Sequence, residues 1–405
     1  MSRFCDIMLY MIENKDLLNR GIANIYPSKA YVESLIKKGQ KLKIYLGIDP
    51  TGPTLHLGHA IALKKLGEFQ KSGHKIILLM GDFTAMIGDP TDKSAARKQL
   101  THKDVLSNLK NYKKQASALI DFNGPNKAEI FFNSKWLMKM NFGDVANLAS
   151  NMTVSQMLER DMFQERIKEN KPIYLHEFLY PIMQGYDSVA MDVDGELGGN
   201  DQTFNMLCGR NLMKSLKNKE KFVVTLKLLE DNTGKKMGKT DGNMAALSDS
   251  ASDMYGKIMS WNDSLLVSSF ELCTNVPLQE IAKIKKDLEK GGNPRDFKMK
   301  LSYEVVKIHH GEEQAKKAQE SFINTFQKNE IPKDIEVLNV KKSDPLMDVL
   351  VSNKIISSKN DFRRLVKENA ITNLTKNEKI IDVNIKVENT TYKIGKKRFI
   401  SLKVK

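Results

Sequence analysis

Two histidines, His56 and His59, stand three residues apart directly after a turn rich in Pro and Gly. The turn follows a strand-like run at 42–46, and the apolar spacing beyond it predicts a helix over His59–Phe69. Side chains at this spacing share one face of a helix. Free N–H groups and the dipole at a helix N-terminus favour an anion. We therefore predict that this pair binds phosphate.

A second segment, Lys236-Met237-Gly238-Lys239-Thr240, places two lysines around a glycine in a stretch rich in Gly and Asn. We expect a loop whose cations can move onto a triphosphate. Each segment alone has an alternative interpretation. The two histidines are also typical of a metal site or of two surface residues, and the two lysines are also typical of a solvated loop. Zinc is disfavoured because no further ligand stands at suitable spacing, so we predict no protein-bound metal. Together, the two segments indicate one polyanionic ligand.

Composition indicates a second polyanion. The 405 residues carry a net charge of +15, and the last 62 residues alone have 14 Lys/Arg against 7 Asp/Glu, which predicts a nucleic-acid partner. The three cysteines are scattered without a C-x-x-C pair, as in proteins of a reducing compartment. The sequence has neither a signal-like start nor a membrane-length apolar run. We predict a cytoplasmic protein that does not bind membranes.

The first 230 residues alternate strand-like runs with helical patterns, which predicts a doubly wound parallel α/β sheet of the Rossmann type. Its ligands are expected beyond the carboxyl ends of the strands. A helical, Met-rich insertion near 134–172 interrupts the alternation, and a turn is expected at Gly198-Gly199 before a helix over 203–216. The predicted strands are Lys43–Ile48, Lys75–Met80, Glu129–Asn133, Ser188–Val193 and Phe222–Leu228.

The remainder divides into a lysine loop at 231–249, an α-helical domain at 250–328, a polar linker at 329–343 and a small α+β domain at 344–405. The last part predicts two short helices and then strands at Ile381–Val387, Thr391–Ile394 and Phe399–Val404. It resembles the S4 RNA-binding fold. Its basic residues predict contacts with RNA phosphates, with a merely solvated face as the alternative. They are Arg363, Arg364, Lys396, Lys397 and Arg398.

Along nearly its whole length the chain resembles the bacterial tyrosyl-tRNA synthetases, class I enzymes that often carry an S4-like tail. The resemblance rests on 47–59, 81–93, 180–189, 197–205 and the lysine segment. It implies ATP-dependent activation of L-tyrosine followed by transfer to tRNA(Tyr). It also implies ATP as its Mg²⁺ complex, a homodimer and an anticodon-side helical domain at 250–328.

The resemblance also assigns residues. For ATP it implies Thr51 and His56 on the pyrophosphate, His59 near the ribose and ring, Lys236 and Lys239 on the triphosphate, and also Gly58, Asp201 and Thr240. For tyrosine it implies Tyr45 and Asp187 on the phenol hydroxyl, Asp89, Tyr180 and Gln184 around the α-amino group, Gln202 near the carboxylate, and Asn133.

Three alternatives remain at this point. A tryptophanyl enzyme shares both phosphate segments but does not need Tyr45 and Asp187 directed at a hydroxyl. A small-molecule ligase that forms adenylates has no use for an RNA-binding tail. A catalytically silent RNA-binding or splicing cofactor on a synthetase scaffold does not need intact histidines and lysines.

Overall fold

The computed structural model describes residues 16–89, 100–230, 244–326, 335, 337–376, 378–395 and 398–404. The predicted site residues Lys236, Lys239, Thr240, Lys396 and Lys397 lie outside this set. The chain divides into two compact units, one ending at Ala318 and the other beginning at Gln319. Within the described part of the chain, no helix has the length and apolar character needed to cross a bilayer.

A six-stranded sheet forms the centre of the first unit. Its strands are β1 (Ile22–Tyr26), β2 (Lys43–Ile48), β3 (Lys75–Met80), β4 (Glu129–Phe132), β5 (Gly195–Gly199) and β6 (Phe222–Leu226), in the order β1-β6-β5-β2-β3-β4. Strands β2 to β6 are parallel, whereas the edge strand β1 runs antiparallel to β6. The predicted doubly wound parallel α/β sheet is confirmed; sequence reasoning did not include β1.

The strand order reverses between β2 and β5. From β2 the chain proceeds outward through β3 and β4, whereas β5 and β6 lie on the other side of β2. Ligands of open parallel sheets bind at such a switch point, outside the carboxyl ends of the strands. The turn before His56 follows β2, and Asp201 follows β5. The fold therefore brings segments that are distant in sequence to one edge of the sheet.

Helices connect these strands and form the inserted segment. They are α1 (Lys29–Lys37), α2 (Leu57–Lys71), α3 (Thr84–Ile87), α4 (His102–Leu109), α5 (Tyr112–Ala116), α6 (Ser134–Leu137), α7 (Phe142–Ala149), α8 (Val154–Leu158), α9 (Asp161–Lys168), α10 (Leu175–Met191) and α11 (Thr203–Lys217). Helices α6 to α9 lie in the stretch predicted as an insertion. Helices α10 and α11 pack against each other.

The predicted strand at Ser188–Val193 is wrong, because its residues up to Met191 are the last part of α10. The apolar run is the buried face of an amphipathic helix, which ends at Asp192 in the left-handed conformation, with φ 49°. The strand comes later, at β5, and the predicted Gly198-Gly199 turn is its end. Glycine is required at Gly195 because a Cβ there would lie 2.1 Å from Phe222 Cζ. Close packing outweighs strand propensity here.

Helices also follow β6. They are α12 (Ala251–Met259), α13 (Leu266–Cys273), α14 (Leu278–Glu289), α15 (Pro294–His310) and α16 (Glu312–Phe326). Helix α12 packs against α15, and α13 packs against α2 of the sheet region. The buried Arg20 donates to four backbone carbonyls at the end of α13, those of Phe270, Glu271, Thr274 and Val276. This contact fixes the chain before β1 to the helical part of the same unit.

The second unit has a five-stranded sheet in the order β7-β11-β10-β8-β9 with two short helices. Its elements are β7 (Val337–Val340), α17 (Leu346–Ser352), α18 (Lys359–Lys367), β8 (Ile371–Asn373), β9 (Glu378–Lys379), β10 (Thr390–Ile394) and β11 (Arg398–Val404). Leu350, Phe362, Tyr392 and Ile400 are among the residues of its buried core cluster. Strand β7 lies inside the stretch predicted as a linker.

The predicted strand at Ile381–Val387 is wrong. Ile381 is 78% exposed, and Asp382 Oδ1 accepts a hydrogen bond from Asn384 N to form an Asx turn. Only an isolated bridge between Lys386 and Pro345 remains. The alternating side chains of this stretch therefore reflect a turn beside the core rather than a strand.

Candidate active site

The first turn of α2 positions both histidines. His56 is the N-cap: its Nδ1 accepts from Gly58 N at 3.1 Å, and its own N–H donates to His59 Nδ1 at 3.2 Å. The ring centroids are 3.9 Å apart. A neutral imidazole whose Nδ1 accepts a hydrogen bond carries its proton on Nε2. The caps therefore make both Nε2 atoms donors, which suits the oxygens of a phosphate.

The chain that follows the lysine segment is hydrogen-bonded to the histidine segment. Leu57 N donates to Ala245 O at 3.1 Å, and Leu247 N donates to Leu55 O at 2.8 Å. An antiparallel bridge joins His56 and Ala246. The lysines themselves lie outside the described residues, but the described chain resumes at 244 beside the histidines.

Asp49, at the carboxyl end of β2, is a buried carboxylate that sequence reasoning did not assign to the site. It accepts from Thr84 Oγ1 at 2.7 Å and from the Tyr180 hydroxyl at 2.9 Å. Burial raises the pKa of Asp49 to about 7. Because the Tyr180 hydroxyl donates its hydrogen bond to Asp49, the Tyr180 oxygen can still accept a hydrogen bond from another group. Gly81 makes room for this carboxylate, since a Cβ there would lie 1.9 Å from Asp49 Oδ1.

Asp187 on α10 is 2% exposed and has a donor on each carboxylate oxygen. Trp136 Nε1 donates to Oδ1 at 2.7 Å, and Asn133 Nδ2 donates to Oδ2 at 3.2 Å. Burial raises the pKa of Asp187 well above its usual range, although both donors oppose the shift. Each oxygen retains a lone pair that can accept from a hydroxyl. Trp136 was missed because only the fold brings it to Asp187.

Tyr45 on β2 is fully buried, and its hydroxyl lies 3.0 Å from Ser188 Oγ on α10. Gln184, one turn earlier on α10, donates from Nε2 to Glu196 Oε1 at 3.1 Å. Glu196 belongs to β5 and pairs with the buried Lys221. Tyr45 and Gln184, both assigned to tyrosine, thus contact one buried polar cluster. The cluster consists of Ser188, Glu196 and Lys221, and the sequence did not predict a role for any of the three.

A second polar group lies at the carboxyl end of β5. Gln202 Nε2 donates to Asp89 Oδ2 at 2.6 Å and its Oε1 accepts from Asn205. The buried Arg160 guanidinium lies 3.9 Å from Asp89. Asp201 is partly exposed in the adjoining 3₁₀ turn at Asn200–Gln202. The structure thus brings Asp89 and Gln202 into contact.

Thr51 and Gly58 are both exposed at this edge of the sheet, Thr51 in the turn after β2 and Gly58 in the first turn of α2. A Cβ at Gly58 would lie 2.8 Å from His56 Cε1. Within the described residues, no group of three or more His, Cys, Asp or Glu side chains is arranged to hold a metal ion.

The arginines assigned to RNA lie on the surface of the second unit. Arg363 and Arg364 are exposed on α18, where Arg364 pairs with Asp361 and Glu368. Arg398, at the start of β11, donates to the carbonyl of Ile355. A phosphate at Arg364 would compete with two carboxylates, whereas Arg363 donates to the neutral side chain of Asn360.

The chain is similar in sequence to known proteins along most of its length. The sequence-family model that describes the class I tRNA synthetases for tryptophan and tyrosine matches residues 37–327. A tyrosine–tRNA ligase of Thermotoga maritima is 42% identical over 392 residues, covering 96% of each chain. Tyrosine–tRNA ligase 2 of Clostridium acetobutylicum is 42% identical over 399 residues, covering 97% of this chain and 98% of its own length.

Solved structures show the same fold. A C-terminally truncated mitochondrial tyrosyl-tRNA synthetase of Aspergillus nidulans has a TM-score of 0.64 at 20% identity, covering 78% of this chain and 94% of its own. The Archaeoglobus fulgidus tyrosyl-tRNA synthetase complexed with L-tyrosine has a TM-score of 0.59 at 19% identity, covering 76% of this chain and 99% of its own. At these identities the likeness concerns the fold alone.

Proposed function

We infer that this chain, which belongs to the class I tRNA synthetases of the tryptophanyl and tyrosyl type, is a tyrosine–tRNA ligase. It activates L-tyrosine with ATP, forming tyrosyl-adenylate and pyrophosphate. It then transfers the tyrosyl group to the 3′ end of tRNA(Tyr). Its ATP is used as the Mg²⁺ complex, and it works in the cytoplasm.

Asp187 carries the proposal for tyrosine. A buried carboxylate held by Trp136 and Asn133, with acceptor capacity remaining, is suited to the phenol hydroxyl of the substrate. Phenylalanine would leave this group without a partner, and a buried polar group without a partner is costly. We call Tyr45, Asn133, Trp136 and Asp187 the phenol end of the site.

The α-ammonium group of tyrosine needs acceptors and negative charge. The Tyr180 hydroxyl donates its hydrogen bond to Asp49, so its oxygen can accept one from the ammonium group. Asp89 supplies a carboxylate beside Gln202. We assign Gln202 to the reacting carboxylate of tyrosine. Different side chains thus bind the two ends of the amino acid, and hydrogen bonds through Asn133 and Thr84 connect Asp187 to Asp49.

Activation requires little covalent chemistry from the enzyme. The tyrosine carboxylate attacks the α-phosphate and pyrophosphate leaves, so catalysis depends on positioning and on stabilising charge on the phosphoryl oxygens. We assign this role to Thr51, His56, Gly58, His59 and the chain at 244–247, which we call the nucleotide end. Asp201 binds the ribose. We also assign Lys236, Lys239 and Thr240, which lie outside the described residues, to this end.

Amino-acid-dependent exchange of pyrophosphate into ATP tests this proposal. Purified full-length protein is assayed with tyrosine, tryptophan and phenylalanine in turn, and then for charging of tRNA(Tyr). We expect exchange with tyrosine far above the other two. Exchange that is fastest with tryptophan would assign the chain to the other branch of the family, and no exchange with any amino acid would support a silent RNA-binding protein.

We also propose that the second unit, an S4-like domain, binds tRNA through Arg363, Arg364, Lys396, Lys397 and Arg398. The double substitution Arg363→Ala/Arg364→Ala should weaken tRNA binding and make its dependence on salt less steep, because fewer counterions are released. Tyrosine-dependent exchange should not change. Lys37→Ala/Lys38→Ala, on the surface of the first unit, is the matched control and should leave the salt dependence as it was.

A homodimer is proposed from the inserted segment. Met138, Phe142 and Val154 are 65%, 88% and 66% exposed, whereas Leu137 and Met157 of the same stretch are buried within the monomer. Large exposed apolar side chains grouped in one segment suit a self-complementary interface. Sedimentation of Phe142→Glu should show monomers, with Ile381→Glu in the second unit as the control for an exposed apolar residue.

A further inference from the structure

A fully buried ion pair lies behind the tyrosine-recognition residues. Lys221, just before β6, and Glu196 on β5 have side chains that are 0% and 2% exposed. A Cβ at Gly209 on α11 would lie 2.6 Å from Lys221 Nζ, so a glycine makes room for the ammonium group. Burying two charges costs as much free energy as their attraction returns, and a buried pair is weak evidence for a stabilising role.

The pair contacts two residues that recognise tyrosine. Lys221 Nζ donates to Ser188 Oγ at 2.8 Å, and Ser188 Oγ lies 3.0 Å from the Tyr45 hydroxyl. Glu196 Oε1 accepts from Gln184 Nε2 at 3.1 Å. Lys221 is therefore connected to the phenol end by Ser188. Glu196 is connected by Gln184 to the residues proposed to bind the ammonium group.

The chemistry of the pair determines how these partners are oriented. A carboxylate only accepts hydrogen bonds, so Gln184 must turn its NH₂ toward Glu196 and its carbonyl oxygen away. A carbonyl oxygen is what a substrate ammonium needs. An ammonium only donates, so Lys221 occupies one lone pair of Ser188 Oγ and fixes that hydroxyl against Tyr45.

We propose that Lys221, Glu196 and Ser188 are positioning residues that orient Tyr45 and Gln184 for the two ends of tyrosine. This inference rests on the proposed function and adds residues that do not themselves touch the substrate. Glu196 acts on ammonium recognition, and Ser188 acts on phenol recognition. Ser188 should therefore affect the phenol end alone. Glu196 holds Gln184 but also interacts with Tyr45, so it should affect the ammonium end more than the phenol end. A general structural role would not separate the two ends in this way.

Competition binding with three ligands separates the two ends. Tyramine has both the ammonium and the phenol hydroxyl, phenethylamine lacks the hydroxyl, and 3-(4-hydroxyphenyl)propionate lacks the ammonium. Each ligand is titrated against tyrosine binding to full-length protein. The variants are Glu196→Gln, whose amide can present either atom to Gln184, and Ser188→Ala, which deletes only a hydroxyl.

We expect Glu196→Gln to weaken tyramine about tenfold while hydroxyphenylpropionate stays within about twofold. Ser188→Ala should weaken tyramine about fivefold and leave phenethylamine unchanged. Lys65→Met is the control: this buried lysine pairs with Glu68 on α2, so its loss should lower the melting temperature without altering any of the three affinities.

Equal losses for all three ligands, or no loss in either variant, would overturn the inference. Ser188→Ala removes no charge and keeps the test valid if Glu196→Gln does not fold. Failure of the proposed function is distinct: wild-type protein would then show neither tyramine binding nor tyrosine-dependent exchange.

Discussion

The two ends of the site are held in different ways. At the phenol end, Asp187 is buried and is fixed by the side chains Trp136 and Asn133, which come from distant parts of the chain. At the nucleotide end, His56 is partly exposed and is fixed by backbone groups of its own helix turn. Hydrogen bonds are stronger away from water and costlier to leave unmade. We therefore propose that the buried end determines specificity for tyrosine and that the exposed end determines the rate of activation.

Asp187→Ala should have the largest effect. It leaves the Trp136 donor without an acceptor, removes one of the two acceptors of the Asn133 amide and removes the proposed partner of the phenol hydroxyl. We expect kcat/KM for tyrosine to fall by about 150-fold, equivalent to about 3 kcal/mol. Steady-state exchange measures it. The KM for ATP should remain near wild type, and a loss shared equally by ATP would show damage to the whole site instead.

His56→Ala should have the next largest effect. It removes one donor to a charged phosphate in a partly exposed position, worth about 2 kcal/mol or about 30-fold in rate. The loss should appear in kcat with little change in the KM for tyrosine, because the contact strengthens in the transition state. Single-turnover formation of tyrosyl-adenylate measures it. A change confined to the tyrosine KM would contradict the assignment to the nucleotide end.

Trp136→Phe tests whether the donors around Asp187 matter beyond the carboxylate itself. The ring is retained and only the Nε1 donor is lost, so we expect about 1 kcal/mol, or about fivefold, in kcat/KM for tyrosine. Trp261, buried in the first unit away from these contacts, offers Trp261→Phe as a matched control for replacing an indole. If both variants behave alike, the Trp136 hydrogen bond does not contribute.

The pH dependence should be the smallest effect. Burial raises the pKa of Asp49 from 3.8 to about 7, so this carboxyl is ionised above that pH and protonated below it. Protonation removes negative charge beside Tyr180, where the substrate ammonium is proposed to bind. We expect kcat/KM for tyrosine to fall about fourfold from pH 8 to pH 6.5. Asp49→Asn cannot titrate and should flatten this part of the profile.

Sequence reasoning succeeded where chemistry is local. The turn before His56, the helix after it and strands β2 and β3 depend on contiguous residues, and their patterns predicted these elements directly. It failed at Ser188–Val193, where an apolar run long enough for a strand is the end of a helix. Sequence patterns also do not predict a strand at Gly195–Gly199, because glycines disfavour strands. Glycine is needed at Gly195 since the Phe222 ring packs over it, and this contact exists only in the folded protein.

The unpredicted site residues share one property. Trp136 stands far in the chain from Asp187, the predicted residue that it contacts, and Glu196 stands far from Lys221; both pairs meet only when strands and helices are assembled. A lone tryptophan or lysine has no local pattern that distinguishes such a partner. Asp49 is different: it lies inside the segment 47–59 that carries the resemblance, and only the Tyr180 and Thr84 hydroxyls directed at it single it out.

The ratio of kcat/KM for tyrosine to that for phenylalanine tests the central claim most directly. It is measured by pyrophosphate exchange for wild type, Asp187→Asn and His56→Ala on matched preparations. The account predicts that the ratio falls by at least about tenfold in Asp187→Asn. In His56→Ala both rates should fall together and the ratio should be unchanged. A ratio that survives in Asp187→Asn, or collapses in His56→Ala, would contradict the division between a buried specific end and an exposed catalytic end.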